Sequence, residues 1–184
     1  MVMPVPRQSL EISLTRISQL FNSLDPSPFY EKDLDTDAEE YLVSWAQELH
    51  HDVPLALTIH LKETPPEVHP ENWITQAIER HFRGRAEFTR LELRRLLRQG
   101  RIALVIGLGC MALFLLMAQW IAATHASVFS GLLRESLTVA GWVAMWRPMQ
   151  IYLYDWWPLR GRIRLYQRLS RMPVMVQLRT VASD

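Results

Sequence analysis

Apolar positions recur with helical or strand spacing along most of the chain, but from Ile102 to Thr124 they form one continuous run. The run IALVIGLGCMALFLLMAQWIAAT carries no charge and is polar only at Gln119 and its closing threonine. At about 1.5 Å per residue, a helix over this run spans roughly the 30 Å hydrocarbon core of a bilayer. A core helix of a soluble domain needs a polar face, so the pattern predicts a transmembrane helix at 102–124.

A second apolar stretch follows after a short turn and predicts a return helix. Residues 132–157 are mostly apolar and end in Tyr152, Tyr154, Trp156 and Trp157, an aromatic belt typical of a membrane–water interface. The two helices would form a transmembrane hairpin, with residues 125–131 as a short extracytoplasmic turn.

Outside the membrane, alternating apolar residues predict three short strands, at Leu10–Leu14, Leu55–Leu61 and Val174–Leu178. Between the first two strands, an apolar stripe and a capping box of Thr36 with Glu39 predict a helix that ends near His50. The last strand comes from the far end of the chain, so the C-terminus is expected to complete a small cytosolic sheet.

The predicted fold class is therefore an α+β membrane protein: a hairpin, a long stalk helix and a small α/β domain. Nothing between Pro70 and the first apolar run would stop a helix except two glycines, at a cost of about 1 kcal/mol each at most. The segments are an acidic domain at 1–70, an Arg-rich stalk at 71–101, the spans at 102–124 and 132–157 with the turn at 125–131, and a basic segment with the final strand at 158–184.

Charge is distributed unevenly, which predicts the orientation. Residues 1–75 carry thirteen Asp and Glu against four Arg and Lys, whereas residues 76–184 carry sixteen Arg against six acids. The arginines cluster at 80–101 and 160–171, beside the apolar runs. By the positive-inside rule we expect both termini to be cytoplasmic, with anionic lipid head groups at the arginines. Clusters that abut membrane spans do not favour nucleic-acid binding.

Polar residues within the spans are the first candidates for a function, because charge inside a bilayer is costly. Arg147 and Asp155, eight residues apart on nearly one helical face, can pair, either as an anchor or in the lining of a pore or pocket. Pro148 deprives the Ala144 carbonyl of a donor and predicts a kink. Gln119 can hydrogen-bond between helices, and Glu135 is the acid nearest the far-side turn.

Acidic residues around the predicted helix start are the second candidate. They resemble the opening of a calcium loop, but Ala38 and Ser44 stand where that loop needs Gly and Glu. A capped helix start is the simpler interpretation, with a docking surface for a basic partner as the alternative. The candidate docking residues are Asp33, Asp35, Asp37, Glu39 and Glu40.

Three segments, FNSLDPSPF at Phe21–Phe29, KDLDTDAEEYLVSW at Lys32–Trp45 and WRPMQIYLYDWWPLR at Trp146–Arg160, are similar to a widespread group of uncharacterised bacterial inner-membrane proteins. The resemblance covers most of the chain. It implies a bacterial inner-membrane location, and no functional residue is carried over from it.

The sequence thus predicts a non-enzymatic membrane adaptor or assembly protein, whose cytosolic domain engages a partner or sister subunits. The alternative is a subunit of a homo-oligomeric ion channel or transporter. A membrane-bound enzyme is disfavoured, because no nucleophile, base and orienting group can be assembled and no phosphate loop is present. The six histidines show no metal-ligand spacing and Cys110 is the one cysteine, so neither a metal nor a cofactor is expected.

Overall fold

A computed structural model describes residues 8–22, 33–49, 54–63, 70–124 and 128–178. The strands are β1 Gln8–Leu14, β2 Leu55–Leu61 and β3 Val174–Leu178. The helices are α1 Thr36–Glu48, α2 Pro70–Thr124, α3 Val128–Ala144, α4 Trp146–Gln150 and α5 Trp156–Leu169, with a short 3₁₀ turn at Ile17–Leu20 and a π-helical segment at Ile151–Asp155.

The strands form a parallel three-stranded sheet in the order β1-β2-β3. Leu10 lies opposite Leu57, and Leu57 lies opposite Val174, so β2 is the central strand. The prediction that the C-terminal strand completes a sheet begun near the N-terminus is confirmed. Because parallel neighbouring strands need a crossover connection, the chain between β2 and β3 contains helices.

The central strand is buried on both faces. Ala56 and Thr58, which the alternating pattern placed on a polar face, are 2% and 6% exposed. This is the usual state of the middle strand of a parallel sheet, since helices or loops cover both faces. One core cluster joins the sheet to Leu42 and Ala46 of α1, Phe82 of α2 and other buried residues.

Helix α1 begins at Thr36, as the sequence predicted, but its capping residue differs. Asp35, not Thr36, is the N-cap, and its side chain accepts a hydrogen bond of 3.0 Å from the Asp37 amide. With Asp35 as the N-cap, Glu39 lies one residue past the capping-box position, and its carboxylate is bound by side chains of α2. The apolar stripe is also rotated: Leu42 and Ala46 are buried, while Tyr41 is 54% exposed.

The predicted long helix is present without a break as α2, although its first turns do not stand apart from the α/β core. Ile74, Ile78 and Phe82 are fully buried in the cluster described above. The chain divides into two compact units, residues 1–88 with 162–184 and residues 89–161. We call them the α/β unit and the helical pair.

The second predicted span is not one continuous helix. Since Pro148 has no amide hydrogen, the Ala144 carbonyl lacks the usual donor, and α3 ends there. A turn at Met145 is closed by its amide, which donates to the Trp142 carbonyl at 3.0 Å. The short α4 and the π-helical segment Ile151–Asp155 then follow. Pro148 therefore breaks the helix where the sequence predicted a kink.

Candidate functional site

Three glycines bring the two halves of the helical pair into close contact. A Cβ atom on Gly100 would lie 2.8 Å from Cγ2 of Ile151, and one on Gly107 would lie 2.9 Å from the Ala144 carbonyl oxygen. A Cβ on Gly141 would lie 3.6 Å from Cα of Met111. Partner numbers fall along one segment as they rise along the other, so the segments pack antiparallel.

The covered positions of the pair follow a heptad. On α2, buried or half-buried residues recur at alternating spacings of four and three: Gly100, Leu104, Gly107, Met111, Phe114, Ala118 and Ile121. Opposite them, the same spacing gives Ser130, Leu137, Gly141, Ala144, Pro148, Ile151 and Asp155, with exposed Arg134 at the remaining position. This spacing is that of coiled-coil packing, and the small residues let the backbones approach closely. We call these positions the seam.

Outside the seam, the helical pair is covered with large apolar side chains. Trp120 is 68% exposed, Trp142 is 62% exposed and Leu116 is 64% exposed. Among the described residues, one helix, α2, is long and apolar enough to cross a membrane. Only 11% of its most apolar stretch of 18 residues is buried within the protein. The protein itself therefore leaves most of this apolar surface uncovered.

The polar residues predicted to lie within the spans are not brought together at one point. The Nη1 atom of Arg147 lies 3.4 Å from Oδ2 of Asp155 and 3.4 Å from Oε1 of Gln150. Pro148 is buried in the seam, whereas Gln119 and Glu135 are exposed on the outside of the pair. Gln119 is therefore placed away from the helix–helix contact that the sequence predicted for it.

A compact group of charged side chains lies in the α/β unit. Arg85 binds Glu39 through two parallel hydrogen bonds: Nε donates to Oε1 and Nη2 donates to Oε2, each at 2.7 Å. The Nε2 atom of His81 lies 3.1 Å from the same carboxylate, and its Nδ1 atom lies 3.2 Å from Oδ1 of Asp33. Bidentate contact of this kind fixes orientation as well as charge.

The electrostatics of this group favour the ion pair. Burial raises the pKa of Glu39, but the hydrogen bonds and charge of Arg85, together with His81, outweigh it and leave that pKa below its ordinary value. The hydrogen bonds to Glu39 raise the pKa of Arg85 above its ordinary value, despite partial burial. Glu39 is thus a charged internal contact of this unit.

The five acids predicted to form a docking surface differ in their contacts and exposure in the structure. The Glu39 side chain is 10% exposed and bound within the chain, so it is not available to a partner. Asp33 contacts His81, and Asp35 caps α1. Asp37 and Glu40 remain exposed on α1.

Sequence reasoning missed the partners of Glu39 and the heptad spacing that places Gly100 and Gly107 in the seam. His81 and Arg85 are four residues apart, so they share one face of α2, and that spacing was the available signal. Gly100 and Gly107 are seven residues apart, which was the available signal for the seam.

Within the described parts of the chain, no three His, Cys, Asp or Glu side chains are grouped so that they could hold a metal ion. Comparisons with protein-family models, with curated proteins and with solved structures found no match to this chain.

Proposed function

We propose that the protein is an integral membrane adaptor or assembly protein. The helical pair would be a transmembrane hairpin, and the α/β unit would be a cytosolic module that engages a partner or sister subunits. The observation that carries the proposal is the apolar outer surface of the helical pair, which packs closely at its glycines and leaves many large apolar side chains exposed.

The apolar outer surface supports a membrane location for the helical pair, because exposing that surface to water is unfavourable. At about 25 cal/mol per Å², exposed tryptophan, leucine and isoleucine side chains on both helices would disfavour a soluble monomer by several kcal/mol. Exposed apolar surface of this extent is typical of membrane-embedded or interface-forming proteins. The interruption around Pro148 is compatible with a span, since neighbouring helices and local π-helical adjustments re-satisfy the backbone.

The adaptor part rests on what remains exposed on the α/β unit. With Glu39 bound internally, α1 presents Asp37, Glu40 and the half-exposed ring of Tyr41. An acidic surface with one aromatic side chain is suited to a basic partner, because charge steers the encounter and the aromatic side chain can supply apolar contact.

The test is native mass spectrometry of the tagged, full-length protein extracted in mild detergent from its own membranes. Three forms are compared: the natural chain, an Asp37→Lys/Glu40→Lys variant, and a Glu11→Lys/Glu63→Lys control with equal charge change on exposed residues elsewhere. We expect a stoichiometric complex that the α1 variant loses and the control keeps.

A monomer in all three forms would contradict the adaptor proposal. A homo-oligomer that both variants leave intact, and that conducts ions in planar bilayers, would replace it with the channel alternative.

A further inference from the structure

Four arginines line a groove beside the middle of α2, just before the apolar run begins. The groove has a volume of about 610 Å³ and lies within the helical pair. Its lining consists of Arg94, Arg95, Arg98 and Arg101 with Leu91, Leu97 and Tyr152. A volume of this size lies within the range of ordinary small-molecule sites.

The arginines are concentrated on one side of the helix. Arg94, Arg98 and Arg101 follow a spacing of four and then three residues, so they share one face. All four side chains are exposed, and none forms an ion pair within the part of the chain that the structure describes. Like charges at this spacing repel one another, so an anion in the groove would stabilise the arrangement.

The opposite wall of the groove is aromatic, and a glycine makes that possible. Because Gly100 has no side chain, the Tyr152 ring approaches to within 3.4 Å of the position that a Cβ would occupy. Tyr152 belongs to the π-helical segment, a type of distortion that is frequent at functional sites. The tyrosine and the two leucines give the groove an apolar wall beside its cationic one.

Position along the chain decides what kind of anion fits. Arg101 directly precedes Ile102, where the apolar run begins. The side chains of Ile102, Val105 and Leu153, which are close in sequence to the lining residues, are exposed. A ligand with a negative head and an apolar tail would satisfy both surfaces. Guanidinium groups bind phosphate oxygens in bidentate fashion, so a phosphate head is a suitable anchoring group for these arginines.

We propose that this groove is a binding site for one anionic phospholipid, whose phosphate the arginines hold while an acyl chain follows the apolar surface. The site rests on the proposed membrane hairpin, because the hairpin places Arg101 at the level of the lipid head groups.

The experiment uses the full-length protein, delipidated in detergent and titrated with phosphatidylglycerol or phosphatidylcholine while native mass spectrometry counts bound lipid. The test variant is Arg94→Gln/Arg98→Gln/Arg101→Gln. The matched control is Arg162→Gln/Arg164→Gln/Arg171→Gln, which removes the same charge from exposed arginines outside the groove.

We expect one phosphatidylglycerol per protomer, bound in preference to phosphatidylcholine. Its affinity should fall about tenfold or more in the groove variant and less than about twofold in the control. If the triple variant does not fold, the double variant Arg98→Gln/Arg101→Gln serves in its place, with Arg162→Gln/Arg164→Gln as its control.

Three results would overturn the site: equal losses in both variants, equal binding of the two lipids, or displacement of the lipid by millimolar inorganic phosphate. Alkaline carbonate extraction of membranes separates these results from failure of the hairpin itself. If the protein stays in the membrane but shows any of the three results, only the proposed lipid site is contradicted. If the protein is released into the supernatant, both the lipid site and the membrane hairpin are contradicted.

Discussion

The two compact units of this chain differ in where their large apolar side chains lie. In the α/β unit, leucine, isoleucine and phenylalanine fill the core, and Glu39 is buried only because Arg85 and His81 bind it. In the helical pair, glycine, alanine and proline share the seam with larger apolar residues such as Phe114 and Ile151, and many large apolar side chains also lie outside it. Among the described residues, all exposed large apolar side chains lie in the helical pair except Tyr41, Phe88 and Met175.

In the proposed membrane hairpin, the two units are stabilised by different forces. Removal of apolar area from water stabilises the α/β unit, as in any soluble domain. Between helices in lipid that driving force is nearly absent, so close backbone packing through small residues takes its place. Substitutions of matched size should therefore have different effects in the two units.

The largest expected effect follows from deleting residues 173–184, which removes β3 from the sheet. The deletion uncovers one edge of β2, where Leu57 and Ile59 are fully buried, and removes the partner strand that carries Val174. We expect a loss of about 5 kcal/mol, comparable with the whole stability of a small domain. Limited proteolysis of the detergent-solubilised protein should show rapid cleavage within residues 1–70.

A shorter deletion of residues 182–184 leaves the strand intact and is the control. Unchanged protease resistance in the longer deletion would mean that β3 contributes little to the sheet.

A matched pair of leucines tests the comparison between the units directly. Leu57→Ala creates a cavity in the α/β core and should destabilise that unit by about 2–5 kcal/mol. Leu108→Ala, at a residue 51% exposed on the helical pair, should cost less than about 1 kcal/mol, because no protein cavity forms. Thermal unfolding in detergent checks both, and equal destabilisation would contradict the assignment of Leu108 to the outer surface.

Two neighbouring glycines test the seam. Gly107→Ala places a methyl group against the Ala144 carbonyl and should destabilise the helical pair by about 1–3 kcal/mol. A Cβ on Gly109 meets nothing within 4 Å, so Gly109→Ala should be neutral or stabilising by up to about 1 kcal/mol, through helix propensity.

The readout for both glycine variants is the efficiency of a disulfide between cysteines introduced at Met111 and Gly141, with Cys110→Ala as background. Similar crosslinking in the two variants would place the helix contact elsewhere.

The smallest effect concerns the pH dependence of the α/β unit. The pKa of Glu39 is lowered in the folded protein, so its stabilising contribution is present above the unfolded value of about 4.3 and is lost as the pH falls through the folded value. Since Arg85 is half exposed, we expect Glu39→Gln to cost about 1–2 kcal/mol at pH 7.

The difference between Glu39→Gln and the natural protein should shrink below about pH 4. Glu40→Gln, on the exposed side of α1, is the control and should be neutral at both pH values. A pH-independent difference for Glu39→Gln would argue against a charged Glu39 in the folded state.

Local signals in the sequence were sufficient for the elements. The alternation from Leu55 to Leu61 matches the bounds of β2, and Pro148 identified the break in the second helix. Of the long-range relations, the pairing of the C-terminal strand with the sheet was predicted, but the side-chain partners were not. Nothing near Glu39 indicates that Arg85, in another helix, binds it. For the seam, the seven-residue spacing from Gly100 favours Gly107 over Gly109, but it does not indicate which residues of the second segment lie opposite.

Cysteine accessibility in the Cys110→Ala background tests whether residues 102–157 form a membrane hairpin with both termini cytoplasmic. Single variants Ser44→Cys, Val128→Cys and Arg171→Cys, all at exposed positions, are treated with a membrane-impermeant maleimide in spheroplasts before and after permeabilisation. The account predicts that Val128→Cys reacts in intact spheroplasts, whereas Ser44→Cys and Arg171→Cys react only after permeabilisation. Protection of Val128→Cys until permeabilisation, equal to that of Ser44→Cys, would contradict it.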